Sequence, residues 1–234
     1  MNGITTAASR LPKLLLLAST AYAVLNLLHW PLGFTFFTQL SNLYLAAVVL
    51  LQLFRPRDAA LSVMKFGAVV SIFITFFVYL TVLGPAMPGG LAAAYAQDHA
   101  ASFCFHLLTP FLALWDFFLN DALYPYRRRH ALLALIPPFL YFLLILALGQ
   151  LGLRWGKDSS MMAPYPFLDY ASPAGWFAFQ PGSWLTGIGV FYAVLALLLL
   201  FYATARALLF LAGRRRKHRG SPAAVFQQEA DISN

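Results

Sequence analysis

Apolar residues run along this chain in stretches of about twenty, each closed by charge, proline or glycine. A helix rising 1.5 Å per residue needs about 20 apolar residues to cross a hydrocarbon core. The pattern therefore predicts spans near 12–30, 34–54, 60–83, 99–120, 131–150 and 184–211. Pro31-Leu32-Gly33 leaves room only for a tight hairpin between the first two. Arg55-Pro56-Arg57-Asp58 closes the second, Gly84-Pro85 and Gly89-Gly90 break the third, and Tyr124 to Arg129 separates the fourth from the fifth. The connection 151–183 is the longest; with Pro164, Pro166, Pro173, Pro181 and many aromatics it is expected to cap one face of the bundle. The fold class read from this pattern is all-α: a compact six-helix transmembrane bundle over residues 1–212, then a basic and polar tail over 213–234.

Composition strengthens that picture. Of 234 residues 61% are hydrophobic and 10% charged, where soluble domains carry about 25% charge, so a single water-soluble globule is excluded. The net charge of +8 lies in short clusters between apolar runs; nucleic-acid recognition wants a continuous basic face, and no such partner is expected. Lys and Arg favour the cytoplasmic side of a membrane. With both termini inside, residues 10, 13, 55, 57, 65, 127, 128, 129, 206, 214, 215, 216, 217 and 219 fall on that side, and only Arg154 and Lys157 fall opposite, 14 against 2. Arg214 to Arg219 offers a surface for anionic lipid headgroups, although a plain stop-transfer signal is the commoner role for such a run. Arg10 and Lys13 before a leucine run, with Ala21-Tyr22-Ala23, resemble a signal peptide; the apolar stretch continues to Leu28, which favours an uncleaved anchor. Cys104 is the one cysteine and carries no redox message. No inverted duplication points to a transporter.

Polar residues inside spans are costly and normally face the bundle interior. Thr38 falls roughly 8 Å and His106 roughly 12 Å below the same boundary at 1.5 Å per residue, a common depth. Thr38, Ser41 and Asn42 share one helical face by their i, i+3, i+4 spacing, as do His99, Ser102, His106 and Thr109. Ser71, Thr75 and Tyr79 make a third seam. A hydroxyl becomes a nucleophile when a neutral imidazole takes its proton, so Thr38 with His106 is a chemically sensible pair. The commoner role of such residues is to tie helices together, for about 1 kcal/mol or less. His29 beside Trp30 reads as interfacial and His130, after three arginines, as a solvated side chain. Asp116 lies about 15 Å deeper than His106; it is expected either to pair with a tyrosine or an arginine near the inner leaflet or to stay protonated by desolvation. His29, His99, His106 and Asp169 lack the short spacing of zinc ligands, so neither a metal nor another cofactor is expected.

The run Phe36-Phe37-Thr38-Gln39-Leu40-Ser41-Asn42, then His106-Leu107-Leu108-Thr109-Pro110-Phe111 with Asp116 ten residues after the histidine, then Tyr165-Pro166-Phe167-Leu168-Asp169, resembles the androgen-induced membrane hydrolase family and its bacterial relatives. The resemblance spans residues 12–211, and its specificity rests on these three blocks. It implies six spans, hydrolysis of fatty acid esters of hydroxy fatty acids, and an intramembrane threonine and histidine at Thr38 and His106. Asp116 stands where eukaryotic members have a glutamate, Asp169 takes the acidic place of the last block, and Gln39 to Asn42 follows the bacterial branch.

The expected activity is that of a lipid-ester hydrolase or acyl transferase working near the outer leaflet, in a bacterial cytoplasmic membrane. Thr38 attacks the acyl carbonyl and His106 shuttles the proton. Ser41 or Asn42 is expected to donate to the oxyanion and Asp169 to hold the histidine, while Tyr79, Tyr165, Phe167 and Trp176 wall the acyl chain. A non-catalytic lipid-binding or scaffold protein is the alternative, and a proton-coupled transporter using Asp116 and His106 a distant third.

Overall fold

The computed structural model describes residues 2–56, 58–86, 89–95, 100–156, 158–170 and 188–218. Helix α1 covers Asn2–Leu27, α2 Phe37–Phe54, α3 Ala59–Leu83, α4 Gly90–Tyr95, α5 Ala100–Asp121, α6 Arg129–Gln150 and α7 Ile188–His218. Among the described residues the only strand-like pairing is one bridge between Trp155 and Met161. Five helices, α2, α3, α5, α6 and α7, are long and apolar enough to cross a membrane. Helix α1 is as long, but Arg10, Lys13, Ser19, Thr20 and Asn26 lower its hydropathy.

Local chemistry sets the boundaries. Asp58 caps α3 by accepting from the Leu61 amide at 3.0 Å, the usual way a carboxylate satisfies a free helical N–H. Pro137 and Pro138 break α6 into Arg129–Leu133 and Ile136–Gln150, entering the second segment in its first turn, where the missing N–H costs nothing. The first helix ends at Leu27, earlier than the expected 30, and a 3-10 turn at Pro31–Thr35 leads into α2. Among the described residues three π turns occur, at Tyr79–Leu83, Cys104–Leu108 and Phe117–Asp121.

Helix α3 is central, packing on α2, α5, α6 and α7, while α1 closes against α2 and α5. Phe66, Val69, Ile72, Leu45, Leu16 and Phe117 fill the core between them. Helices α6 and α7 turn Leu140, Leu144, Phe191, Leu199 and Phe210 outward, as lipid-facing helices do. The described part of the long connection, up to Tyr170, folds over the end of the bundle. Trp155 is fully buried there, its indole N–H donating to Thr35 Oγ1 at 2.8 Å, and Tyr165, Phe167 and Leu168 pack with Tyr141, Ile145 and Val190.

Two expectations about charge are corrected. Lys13 and Lys65, counted above as flanking basic residues, are buried and ion-paired within the bundle. They therefore say nothing about sidedness, and the charge split becomes 12 against 2. His130 is also buried rather than solvated, because its Nδ1 accepts the Arg127 amide at 3.1 Å and its ring packs on Tyr126.

Candidate active site

The second and fifth helices bring Thr38 and His106 together. Thr38 stands in the first turn of α2 and His106 in the π turn of α5, with Oγ1 and Nε2 3.2 Å apart and both side chains buried. The tautomer follows from the hydrogen bonds. His106 Nδ1 lies 3.0 Å from the Ser102 carbonyl, which can only accept, so Nδ1 carries the proton. Nε2 then presents its lone pair to Thr38, and the threonine hydroxyl donates. This is the arrangement of a hydroxyl facing a general base within bonding reach.

Two more side chains fix the imidazole. Tyr79 stacks on it, centroids 3.6 Å apart and planes 15° from parallel, and its hydroxyl bonds Ser102 Oγ at 2.9 Å. Ser102 Oγ in turn lies 3.2 Å from His106 Nδ1. Tyr79 thus sits on the His106 imidazole as well as lining the vestibule described below, whereas the sequence suggested only a wall for the acyl chain. The π turn explains why the predicted polar face of α5 divides. One extra residue per turn swings His106 toward α2, while Thr109 bonds Ser19 of α1 at 3.0 Å. Single π turns of this kind are frequent at functional sites.

The structure gives Ser41 and Asn42 a different task from the one expected. Ser41 Oγ donates to the Thr38 carbonyl at 3.0 Å and meets Thr75 Oγ1 at 3.3 Å; Asn42 Nδ2 donates to the Thr38 carbonyl at 2.8 Å and to that of Phe105 at 3.4 Å. Their donors are directed at backbone carbonyls of α2 and α5. Asp169 accepts from the Met162 amide at 3.2 Å, and the hydrogen bonds of His106 go to Thr38 and Ser102. Trp176 and His99 lie outside the described residues. His29 is exposed at the rim of the vestibule described next.

Thr38 stands where two cavities meet. One is a narrow apolar cleft of about 80 Å³, walled by Phe37, Ile74, Tyr141, Phe167, Leu197 and Phe201 among others, between α3, α6 and α7. The other is a wider open vestibule of about 1100 Å³ bounded by the end of α1, the start of α5 and Pro164–Pro166, and it reaches His106, Ser102, Gln39 and Tyr79. Thr38, Tyr165 and Leu83 line both. Tyr165 is clamped between Phe36, edge-on at 5.5 Å, and Phe167, stacked at 5.2 Å. Its hydroxyl faces the Thr38 side chain and the amides of Phe37 and Thr38, and burial holds its phenol above the ordinary tyrosine range.

At the other end of the four-helix core lies a second polar cluster that sequence reading did not assemble. Lys13 Nζ bonds both oxygens of Asp116, at 3.0 and 2.9 Å, and Gln52 Oε1 at 3.1 Å; Lys65 bridges Asp116 and Asp121. Gln52 Nε2 reaches Asp121 Oδ1 at 3.0 Å, and Asn120 joins Asp116 to the Ser9 carbonyl. Asp116 is therefore paired with two lysines, not with a tyrosine or an arginine. Among the described residues no group of three or more His, Cys, Asp or Glu side chains is arranged to hold a metal. No protein family, curated protein or solved structure matches the chain.

Proposed function

We propose that this protein is an intramembrane lipid-ester hydrolase or acyl transferase of the androgen-induced hydrolase type, with Thr38 as nucleophile and His106 as general base. The observation carrying the proposal is that the Thr38–His106 hydrogen bond lies at the junction of an apolar cleft and a wider vestibule that holds the polar side chains of Ser102, Gln39 and His106. In this reading the acyl chain enters along the cleft, and the alcohol portion and water occupy the vestibule. Thr38 Oγ attacks the carbonyl carbon while its proton passes to His106 Nε2, and the carbonyl π electrons move to oxygen. Collapse of the intermediate breaks the bond to the alcohol, which leaves with that proton and yields acyl-Thr38. Water activated by the same imidazole then releases the acid; a second alcohol in its place gives transfer.

Six spans with both termini cytoplasmic complete the proposal, in a bacterial cytoplasmic membrane. The chief obstacle to α1 as a span is Lys13, and its charge is neutralised by Asp116. The inner surface carries Arg214 to Lys217 for anionic headgroups, each worth about 1 kcal/mol. A transporter relay is not favoured, because Thr109, the one intermediate between His106 and Asp116, is bonded to Ser19.

The test is turnover of long-chain lipid esters by protein purified in bicelles, with covalent labelling by a fluorophosphonate. Wild type should hydrolyse and be labelled at Thr38. Thr38→Ala and His106→Ala should lose both by about 100-fold or more, about 3 kcal/mol of barrier. A second reading is favoured by Ser19, Thr109, Ser41, Thr75 and Asn42, whose hydrogen bonds fasten helices: the dyad fastens α2 to α5 in a lipid-binding protein. That reading expects the two variants to lose thermal stability, with no labelling of wild type.

A further inference from the structure

The helix that carries Thr38 begins without a side-chain cap. Its first intrahelical bond is Leu40 N–H to the Phe36 carbonyl at 3.1 Å, so the amides of Phe37, Thr38 and Gln39 have no acceptor within the helix. The Tyr165 hydroxyl lies against the Thr38 side chain and the start of α2. The bonded chain runs from Thr38 through His106 to the Ser102 carbonyl, with Tyr165 beside its Thr38 end.

A second, independent observation points to a missing oxygen at this place. Tyr141 of α6 is only 8% exposed and lines the apolar cleft beside Phe37 and Tyr165, yet its hydroxyl proton has no acceptor, the Phe37 amide that it faces being itself a donor. Buried hydroxyls are normally bonded, and an unmatched donor in an otherwise apolar wall is what a ligand oxygen would satisfy. We propose that the Tyr141 and Tyr165 hydroxyls, at the N-terminus of α2, form the oxyanion site for an acyl carbonyl held at Thr38. When Thr38 Oγ bonds the carbonyl carbon, the developing anionic oxygen is one atom away from the position Tyr165 now addresses. Both phenols donate to it, while the helix N-terminus favours the negative charge. The catalytic part of this inference rests on the hydrolase reading; the recognition of a carboxylate or carbonyl oxygen by the two phenols does not.

The experiment compares wild type with Tyr141→Phe and Tyr165→Phe in two measurements. In ester turnover, each variant should lose about 100-fold in kcat with KM nearly unchanged, the loss seen when an oxyanion donor is removed. Tyr141→Phe should unfold at the wild-type temperature or above it, since it deletes a hydroxyl whose proton bonds nothing. In equilibrium binding of palmitate, with hexadecanol as the control for the apolar wall, both variants should bind palmitate about tenfold more weakly and hexadecanol equally, since hydrogen bonds to a charged group are the stronger kind. Unchanged palmitate affinity in Tyr141→Phe, or no palmitate binding by wild type, overturns the site whether or not esters are hydrolysed. Wild type that binds palmitate through these tyrosines but turns over no ester leaves the site standing and overturns the hydrolase reading instead.

Discussion

Replacing Lys65 with methionine keeps a flexible stem of similar length and removes one charge from the cluster between α1, α2, α3 and α5. Lys65 and Asp116 are fully buried, and Lys13 and Asp121 nearly so, so water cannot compensate. The four charges sum to zero. Lys65 attracts two carboxylates and repels one ammonium, which leaves about one net attraction, worth about 4 kcal/mol at 4 Å for an effective dielectric of 20. Its loss strands Asp121 with only Gln52, and removing one partner of a buried pair costs about 3–5 kcal/mol. Lys65→Met should therefore destabilise the protein by about that amount, read as the midpoint of unfolding by SDS in mixed micelles followed by tryptophan fluorescence. Adding Asp121→Asn restores neutrality and leaves the Lys13–Asp116 pair, and the carbonyl of the introduced amide can still accept from Gln52, so the double variant should recover more than half the loss. Asp121→Asn alone should be destabilising, since it leaves an excess positive charge. A double variant no more stable than Lys65→Met would refute the charge balance as the reason for the cluster.

Three further outcomes follow from particular contacts. Leu197→Trp narrows the apolar cleft, so turnover of long-chain esters should fall at least about tenfold, about 1.4 kcal/mol, while short-chain esters are spared; equal loss for both would remove the cleft as the acyl site. Gly149→Ala would drive a Cβ into the Met162 carbonyl and to 2.6 Å from the Tyr170 hydroxyl, pushing the cap off the bundle at a cost of about 1–3 kcal/mol, seen as a lower Tm and faster proteolysis within 151–170. Tyr126, in the turn between α5 and α6, is half-buried and donates to the Ser62 carbonyl at 3.2 Å; desolvation, then the charge of Asp121, holds its phenol above the usual range. The unfolded chain releases that proton from about pH 10 and the folded one does not, so the contribution is full below about pH 10 and is lost as pH rises beyond it. Tyr126→Phe should flatten alkaline destabilisation, and an unchanged slope above about pH 10 would contradict the burial argument.

What could be read from the sequence was what depends on spacing. Thr38, Ser41 and Asn42 share a face because α2 is a regular helix, and the matching depths of Thr38 and His106 need only the rise per residue. The division of the α5 face was invisible, because a π turn leaves no mark in the pattern of apolar residues. Ser102 orients the histidine partly through its carbonyl, a group every residue has. Lys65 carried a readable signal that was counted wrongly: it stands six residues into an apolar helix, about 9 Å from its start, too deep for a flanking charge. Tyr141, among leucines and phenylalanines, looks like one more lipid-facing aromatic until its hydroxyl is found buried without an acceptor.

The distribution of polar contacts divides the bundle into two mechanical parts. Among the described residues, side-chain hydrogen bonds between helices concentrate within α1, α2, α3 and α5: the charge cluster at one end, Ser19–Thr109 and Ser41–Thr75 midway, and Thr38–His106 with Tyr79–Ser102 at the other. Thr38 and His106 both belong to the fastened part, so their 3.2 Å separation is set by a frame clamped along its length. Helices α6 and α7 join that frame largely through apolar packing and expose most of their surface. The apolar cleft lies on the seam between the two parts, with Ile74 and Thr75 on the fastened side and Pro138, Tyr141, Val194 and Leu197 on the other. On the hydrolase reading proposed above, a chain entering from the bilayer would part α6 and α7 from the frame and leave the Thr38–His106 contact as it is. Nitroxide labels on exposed Leu144 of α6 and Leu199 of α7 should therefore spread in distance when palmitate is absent and narrow when it binds, while labels on exposed Leu25 of α1 and Leu50 of α2 stay fixed. Equal spreading of both pairs would show that the bundle moves as one body and that the dyad is not held independently of the cleft.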